Sequence, residues 1–437
     1  MKQPTHPLVL AAALSVAALL SACATPGADP TPLAQKTPAA LGLSNAASMP
    51  VAPRWWTTLG DAQLNQLVDL ALQEQPSLAV ARARVDRARA LADLTHAASG
   101  PQAALSAEVT RQRYSENGLI PKPIAGSTRD SGTLQAALSW SPDFFGQHAA
   151  ELAAALGQAR AAQADAAAAA TTLAAQVSRS YVALARLLAQ RDVATRALAQ
   201  RTEMLDLIRQ RESAGLDTRV ELTQAEGGLP DARGQIEALN EQVTLARHQL
   251  AVLSGQAPGA LDALSPGLRN LQLATVPAAL GADLLGRRPD VVAARWRVEA
   301  GAQDVAVART QFYPNINLTA FAGLNAIGLD QVLQAGSRQM GVTPALRLPL
   351  FDGGRLRAQL GGRQADLDGA IAQYNGVLLD ATREASDAIS SVQSLERQQR
   401  ELASALTSAE AGYALAQQRF HAGLGSKLLV LNAESPL

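Results

Sequence analysis

The sequence is poor in aromatic residues, cysteine and net charge. Aromatic side chains make up 3% of its 437 residues, there is one cysteine, and 38 basic side chains balance 38 acidic ones. A single cysteine excludes an internal disulfide and a zinc site made of several thiolates. Balanced charge and scarce rings provide neither the basic face nor the stacking surface of a nucleic-acid-binding protein, so no such partner is expected. Scarce aromatics also favour a helix-rich fold over an all-β one.

Sequence motifs of catalysis are missing as well. The chain has no Gly-x-Ser-x-Gly elbow, no phosphate-binding loop and no His-Glu-x-x-His pattern. Its five histidines are scattered and do not have the spacing of metal ligands. We therefore predict that the protein is not an enzyme and that it binds neither a metal nor a free cofactor.

The first residues have the features of an export signal. In residues 1–22 a lysine precedes an apolar run from Leu8 to Leu20, which is too short to span a membrane. The run leads into Leu-Ser-Ala-Cys, ending at Cys23, which resembles the lipid-attachment sequence of bacterial lipoproteins. We predict cleavage before Cys23 and a covalent lipid on its thiol. The alternative is an ordinary signal peptide beside a chance cysteine.

Residues 23–53 are rich in proline, alanine, threonine and serine. Such a composition cannot bury a core, so we predict a flexible tether between the lipid and the folded protein. Ala24, rather than an aspartate, follows the cysteine. In such lipoproteins this resembles sorting to the outer membrane, with outer-membrane lipid as the surroundings of the anchor.

The rest of the chain contains two similar copies of one unit. Pro76 and Pro289 open matching segments 213 residues apart, and Gly215 and Gly423 lie in matching segments 208 residues apart. The colinear order of such pairs indicates an internal repeat. We assign residues 54–255 to repeat 1, 256–283 to a linker and 284–437 to repeat 2. Each copy reads as helix, strand, strand, helix, helix.

Alternating polarity predicts two strands in each copy. They cover residues 101–113 and 133–140 in repeat 1 and residues 315–322 and 345–350 in repeat 2. Strands of about ten residues with one apolar and one polar face suit a transmembrane barrel that faces lipid on one side and water on the other. Short soluble hairpins show the same alternation, and the pattern alone does not separate the two.

Long helices are predicted over residues 147–254. An unbroken helix from Gln147 to Ala214 would have 68 residues and a length of about 100 Å. Apolar residues at 3-4 spacing, such as Val243, Leu250 and Leu253, form a coiled-coil pattern, which ordinary packing in a helical bundle also explains. Pro230 is expected to kink or interrupt the second helix. Since the second copy ends soon after Glu434, its last helix is expected to be truncated.

A barrel requires more strands than one chain provides. Two strands in each of two copies make four, whereas a membrane barrel needs at least about eight. We therefore predict that the fold is mainly α with a small β part: a long α-helical coiled-coil barrel joined to a transmembrane β-barrel that oligomerisation completes. Three chains would supply twelve strands and twelve helices around a conduit.

One segment of repeat 2 carries a family resemblance. Residues 284–291 and 307–316 closely resemble the signature of the TolC-like outer-membrane efflux factors, and more narrowly their lipoprotein branch, the outer components of resistance-nodulation-division pumps. The signature residues are Arg287, Arg288, Pro289, Asp290, Tyr313 and Pro314. The resemblance implies a homotrimer that spans the outer membrane, with its helical part in the periplasm. It also implies docking to a periplasmic adaptor, the membrane fusion protein, and to an inner-membrane pump.

The same resemblance places the periplasmic tip turns and the aperture. Gly215 and Gly423 lie in the turns, where glycine allows a positive φ. In the family, carboxylates after the second turn often ring the closed aperture. The positions expected at the aperture here are Asp217, Glu221, Gln224, Leu429 and Asn432. Since Leu429 and Asn432 are not acidic, Asp217 and Glu221 would have to supply any negative charge, and the alternative for both is an ordinary solvated helix surface.

These features together predict a passive, lipid-anchored duct that exports small molecules across the periplasm and outer membrane. The alternative is a periplasmic coiled-coil adaptor or scaffold lipoprotein without a pore. Paired amphipathic strands inside each repeat favour the duct. The exported compound cannot be read from the sequence, because an inner-membrane partner would supply both the energy and most of the specificity.

Overall fold

The structure is a computed structural model that describes residues 31–37, 52–272 and 286–436. The predicted signal peptide and Cys23 lie outside the described residues. Within the described ranges the chain consists of long helices and one small sheet. The helices and strands of the first half are α1 (Ala62–Glu74), α2 (Pro76–Ser99), β1 (Gln102–Arg113), β2 (Thr128–Trp140), α3 (Gln147–Ser213) and α4 (Arg219–Leu253).

The second half repeats this order from α2 onward. Its elements are α5 (Pro289–Thr310), β3 (Asn315–Ile327), β4 (Arg338–Arg347), α6 (Arg355–His421) and α7 (Lys427–Glu434). Both α3 and α6 have 67 residues. The prediction of a mainly helical protein with a small β part is confirmed.

Pairing between strands extends them beyond the predicted limits. Because Arg113 pairs with Thr128, β2 begins five residues before the predicted position 133. Since β3 pairs with both β2 and β4, it continues to Ile327 instead of ending at 322. The fourth predicted strand is present, but its predicted limits of 345–350 are wrong, because β4 runs from Arg338 to Arg347 and shares only residues 345–347 with that segment. Pro349 cannot donate to a ladder, and the register with β3 fixes β4 upstream of it.

The predicted interruption at Pro230 is also wrong, since α4 continues through this residue. Gly227 and Gly228 precede the proline and leave open space where side chains would lie. On α3, Arg201 donates a hydrogen bond from Nη1 to the carbonyl oxygen of Gly228 at 3.2 Å. Pro230 has no N–H to donate to the carbonyl oxygen of Glu226 four residues earlier, so α4 continues through the proline without that one helix hydrogen bond.

The chain divides into two compact units. The strand unit contains residues 84–164 and 290–377 together with the described residues 31–35, and the helical unit contains the remaining described residues. In the strand unit all four strands pair antiparallel in the order β1-β2-β3-β4. A small core beside the sheet joins Val305, Ala308 and Phe312 to Leu356 and Leu360 on α6.

Part of the predicted tether lies against α6 in the strand unit. The backbone N–H of Leu33 donates to Oδ1 of Asp368 at 2.8 Å. The side-chain amide of Asn375 donates to the carbonyl oxygen of Ala34 at 3.0 Å. The neighbouring residues 23–30 and 38–51 lie outside the described part of the chain.

The helical unit has a larger core built from α1, α3 and α4. Fully buried side chains include Leu64 on α1, Tyr181 and Leu184 on α3, and Leu250 on α4. The Tyr181 hydroxyl donates to Oδ2 of Asp61 at 2.9 Å. Asp61 also caps α1, because its Oδ1 accepts hydrogen bonds from the next turn. This shared carboxylate connects the start of α1 to the middle of α3.

Candidate functional site

The sheet has one apolar and one polar face. Residues opposite each other in a ladder point to the same face, and Leu105, Ala136, Ala322 and Met340 form one such row across the four strands. Further members of this apolar face lie at every second position. They are Ala103, Ala107, Val109, Leu134, Leu138, Trp140, Leu318, Ala320, Leu324, Val342 and Leu346.

Most of the apolar face is uncovered in a single chain. Leu105 is 74% exposed and Met340 is 78% exposed. An apolar surface this wide is covered in a functional protein by lipid or by another protein surface. Because the strands have 10 to 13 residues, their length matches the requirement for crossing a bilayer at a tilt.

The opposite face is polar and hydrogen-bonded across the strands. The Asn325 amide donates to the Thr133 hydroxyl at 2.8 Å, and the Gln339 amide donates to the Gln135 side-chain oxygen at 3.1 Å. One ring interrupts this polar surface. Phe321 lies directly over Gly341, where a Cβ would come within 2.7 Å of the ring.

Both outer strands have a free edge. Within the described residues β1 pairs only with β2, and β4 pairs only with β3. A free strand edge presents a row of unpaired N–H and C=O groups. The sheet is therefore open on two sides, and another strand can add to each side.

The first tip turn is fixed by an ion pair between the last turn of α3 and the turn itself. Gly215 adopts a φ of 74°, which the turn after α3 requires. Arg211 donates from Nε and Nη2 to the carboxylate of Asp217 at 2.8 and 2.9 Å. This hydrogen-bonded pair holds the pKa of Asp217 below its usual range.

The helix after this turn begins with a capping box. The Thr218 hydroxyl accepts from the backbone N–H of Val220 at 3.2 Å, and the Glu221 carboxylate accepts from the backbone N–H of Thr218 at 2.9 Å. Hydrogen bonding from the Thr218 side chain is the main cause that lowers the pKa of Glu221. Both predicted carboxylates of the aperture are thus ionised at neutral pH, and each has a partner within its own turn.

The second tip turn has the same backbone and fewer side-chain contacts. Gly423 has a φ of 72°, close to that of Gly215. Ser426 caps α7 by accepting from the N–H of Leu429 at 3.3 Å. Asp217 is matched here by Gly425, so Arg419, the counterpart of Arg211, makes no ion pair within the described residues. Instead α7 binds α3, where Lys427 pairs with Glu203 at 3.1 Å.

The other residues predicted at the aperture are on the surface of the helical unit. Gln224, Leu429 and Asn432 are all exposed, the first on α4 and the other two on α7. The structure describes a single chain, so their meeting around an aperture stays a prediction.

The signature residues occupy the two ends of α5. Pro289 is the first residue of this helix and Asp290 lies in its first turn. Arg288 donates to Glu384 on α6 at 2.9 Å, and Arg287 next to it is exposed. At the other end Tyr313 and Pro314 connect α5 to β3. The signature is therefore divided between two structural junctions.

Sequence reasoning missed a cluster where strands meet helices. The ring of Phe145 stacks on that of Tyr313 with centroids 5.3 Å apart and an interplanar angle of 7°. Arg347 and Arg355 line the same cavity. These residues come from three separate segments, and only the strand register could have indicated that they meet.

Neither a membrane-crossing helix nor a metal site is found in the described part of the chain. No described helix is long and apolar enough to span a bilayer. Among the same residues, no group of three or more histidine, cysteine, aspartate or glutamate side chains could hold a metal ion.

Long helices, a two-faced antiparallel sheet and paired tip turns define the class of efflux proteins of the outer membrane. The sequence profile of the family described as outer membrane efflux protein matches residues 67–256 and 280–437. The chain belongs to this family.

Individual relatives agree with this assignment. The chain is 32% identical over 391 residues to the multidrug resistance outer membrane protein MdtQ of Escherichia coli O6:H1, covering 88% of this chain and 82% of the relative. It is 40% identical over 323 residues to the fusaric acid resistance protein FusA of Burkholderia cepacia, covering 73% of this chain. The chain spans 61% of the length of FusA.

A solved structure shows the same fold. The crystal structure of the outer membrane protein VceC from Vibrio cholerae matches with a TM-score of 0.80 and 35% sequence identity, over 88% of this chain and 92% of VceC. The predicted family and the location in the outer membrane are confirmed. The comparisons also favour an outer-membrane efflux component over a pore-less adaptor or scaffold.

Proposed function

We propose that three copies of this chain form a passive duct for efflux across the periplasm and the outer membrane. The observation that carries the proposal is the four-stranded sheet with two different faces and two free edges. Joining β4 of one copy to β1 of the next pairs every edge and yields twelve strands. This number lies within the range of known membrane barrels.

The two faces of the sheet have different surroundings in this arrangement. The row containing Leu105 and Met340 faces lipid, because burying a polar row there would leave its groups without hydrogen bonds. The row containing Gln135, Asn325 and Gln339 lines the water-filled interior. Polar side chains along that wall allow solutes to pass without a strong binding step.

A passive duct needs partner proteins that supply the energy for export. No phosphate-binding loop is present in the sequence, so we assign energy and most of the substrate selection to an inner-membrane pump joined through a periplasmic adaptor. The tip turns at Gly215 and Gly423 are the sites we assign to adaptor docking. The names of FusA and MdtQ support small toxic organic molecules as cargo.

We also propose that Cys23 carries a lipid and that residues 24–53 connect it to the folded protein. A single acyl chain gives marginal membrane binding, whereas several chains on one cysteine anchor it stably. Palmitate labelling in cells tests this proposal. We expect the parent protein to be labelled and Cys23→Ser to be unlabelled, and label on Cys23→Ser would contradict the assignment.

A disulfide scan tests the edge-to-edge assembly directly. In a Cys23→Ser background the chain has no other cysteine, so pairs such as Ser106→Cys with Thr343→Cys report only new contacts. These two residues lie on the polar faces of the edge strands. Because the register across the proposed junction is unknown, the cysteine on β4 is moved through positions 339 to 345.

We expect oxidation to link copies into covalent dimers and trimers when the cysteine on β4 lies opposite the cysteine at position 106 of the neighbouring copy. A pair on β2 and β3, Thr133→Cys with Asn325→Cys, is the matched control, because these residues face each other within one chain and cannot link copies. Single-channel recording in a planar bilayer then measures the pore. Conductance steps without any linked species in the scan would contradict the β4-to-β1 closure, and silence from folded trimers would contradict an open duct.

A further inference from the structure

A cavity of about 600 Å³ lies where the strands of the strand unit meet the helices. We call it the corner cavity. Its walls come from the β2–α3 connection, the α5–β3 connection and the β4–α6 connection, so both repeats contribute. Its volume is in the range of small-molecule sites.

Two guanidinium groups line the corner cavity. Arg347 is opposite Asn315 in the β3–β4 ladder, which places it on the polar face with Thr343. Arg355 is the first residue of α6. Within the described residues neither side chain makes a hydrogen bond or an ion pair, and both are exposed. Their donors are therefore available to a ligand.

The acidic groups near the cavity are already engaged. The carboxylate of Asp143 accepts from the backbone N–H of Ala149 at 2.9 Å, which caps α3. The carboxylate of Glu151 lies 3.2 Å from Nδ1 of His148. Asp352, which is close enough to Arg355 to interact with it electrostatically, accepts from the backbone N–H groups of Gly354 and Leu356 at the start of α6. The lining itself presents two cations against the single carboxylate of Asp143, and this charge balance favours an anion.

An aromatic surface lies beside these cations. The stacked rings of Phe145 and Tyr313 are 45% and 50% exposed. Exposed stacked rings offer an apolar face to a flat ligand. A carboxylate binds guanidinium groups well because the planar fork of arginine matches its two oxygens.

We propose that the corner cavity binds small aromatic carboxylates. The ring of the ligand lies against Phe145 and Tyr313, and its carboxylate accepts hydrogen bonds from Arg347 and Arg355. The proposal deepens the proposed function, on which it rests for its biological meaning: since Arg347 belongs to the polar face, the cavity opens toward the interior of the duct. It is a resting position for anionic cargo within the strand unit.

Binding of benzoate to the full-length protein in an uncharged detergent tests this site. Isothermal titration compares benzoate with benzamide, which keeps the ring but has no charge, and with acetate, which keeps the charge but has no ring. We expect benzoate to bind more tightly than either. R347Q and R355Q are each expected to weaken benzoate binding about tenfold, the effect of losing one charge-assisted hydrogen bond.

Two further variants separate the ring from the charge. Tyr313→Leu is expected to weaken benzoate and leave acetate unchanged. Arg357→Gln is the matched control, because Arg357 is an exposed arginine on the same helix that does not line the cavity. It is expected to bind benzoate like the parent protein.

Three outcomes would overturn the proposal. They are equal affinity for benzoate and benzamide, unchanged benzoate affinity in both R347Q and R355Q, and an equal loss in R357Q. Because titration needs no conduction, the site and the duct are tested separately. Binding by a protein that never conducts would contradict the duct alone, and conduction without binding would contradict the site alone.

Discussion

The two long helices of the repeats have equal lengths and corresponding places in the repeat, but different surroundings. Leu187 on α3 is 8% exposed, whereas Leu395, its counterpart 208 residues later on α6, is 60% exposed. The difference arises because Val243 and Leu250 of α4 pack in the core that contains Leu187. On α6 the same stripe continues through Leu402, which is 69% exposed. An apolar stripe thus predicts that a helix face can pack, and not which partner it has.

The largest expected loss of stability tests the difference between the buried core around α3 and α4 and the exposed apolar stripe of α6. Leu250→Ala removes a fully buried side chain and is expected to cost about 2 to 5 kcal/mol of unfolding free energy. The matched variant Leu402→Ala is expected to stay within about 0.5 kcal/mol. Urea denaturation in one detergent, followed by circular dichroism, compares them. An equal loss in Leu402→Ala would mean that the assembled protein covers the α6 stripe.

The second-largest expected loss of stability comes from removing the hydroxyl of Tyr181. Tyr181→Phe removes the hydrogen bond to Asp61 and is expected to cost about 1 kcal/mol. Burial, together with the Asp61 hydrogen bond, raises the pKa of Tyr181 above its ordinary value of 10.0. A raised tyrosine pKa contributes stability that is fully present below pH 10 and is lost as the pH rises above it.

Denaturation between pH 8 and pH 11 measures this contribution. The parent protein is expected to lose stability above pH 10 more steeply than Tyr181→Phe. The control is Tyr413→Phe on α6, since the Tyr413 hydroxyl makes no hydrogen bond within the described residues. Parallel pH profiles for the parent and Tyr181→Phe would show that the buried hydroxyl does not titrate in this way.

A smaller difference in stability is expected between the helix caps that follow the two tip turns. Thr218→Ala removes one side of a capping box and is expected to cost about 1 kcal/mol. Ser426→Ala removes a longer single bond, and about half that loss is expected. Amide hydrogen exchange in the first turns of α4 and α7 reports each cap. Equal acceleration of amide exchange in the two variants would contradict the expected difference between the two helix caps.

The smallest effect concerns the arginines of the tip turns. Arg211→Gln breaks the bond to Asp217 and is expected to speed proteolytic cutting between residues 214 and 217, whereas Arg419→Gln leaves cutting at the second turn unchanged. Because the pKa of Asp217 is lowered, the contact is complete above its unfolded value of 3.8 and is lost as the pH falls through the lower folded value. Cutting rates are thus expected to be equal at pH 6 and pH 8. Faster cutting in Arg419→Gln would show an unseen partner for that residue.

Local patterns predicted the elements better than their limits. Alternating Leu105, Ala107 and Val109 located β1 within one residue, since no proline disturbs the pattern there. The same reasoning misplaced β4, because its alternation passes through Pro344 and its limits depend on pairing with β3. A strand limit set by a distant partner cannot be read from one segment.

The candidate site was predictable in part for the same reason. The family resemblance located the tip turns, and turn chemistry explains why they contain glycine. The capping box of Thr218 and Glu221 has a readable sequence spacing. The corner cavity was not predictable, because Phe145, Arg347 and Arg355 are unremarkable within their own segments and Tyr313 was singled out only as a signature residue of the family. Only the folded chain brings them to one place.

The free edges of the sheet affect the yield of assembled protein in the cell. A lone copy that reaches its membrane presents an apolar face and two unpaired edges, which are templates for aggregation. We expect membrane insertion and edge pairing to occur as one concerted event. The yield then depends on how often copies meet, so it rises more steeply than linearly with expression level at low abundance.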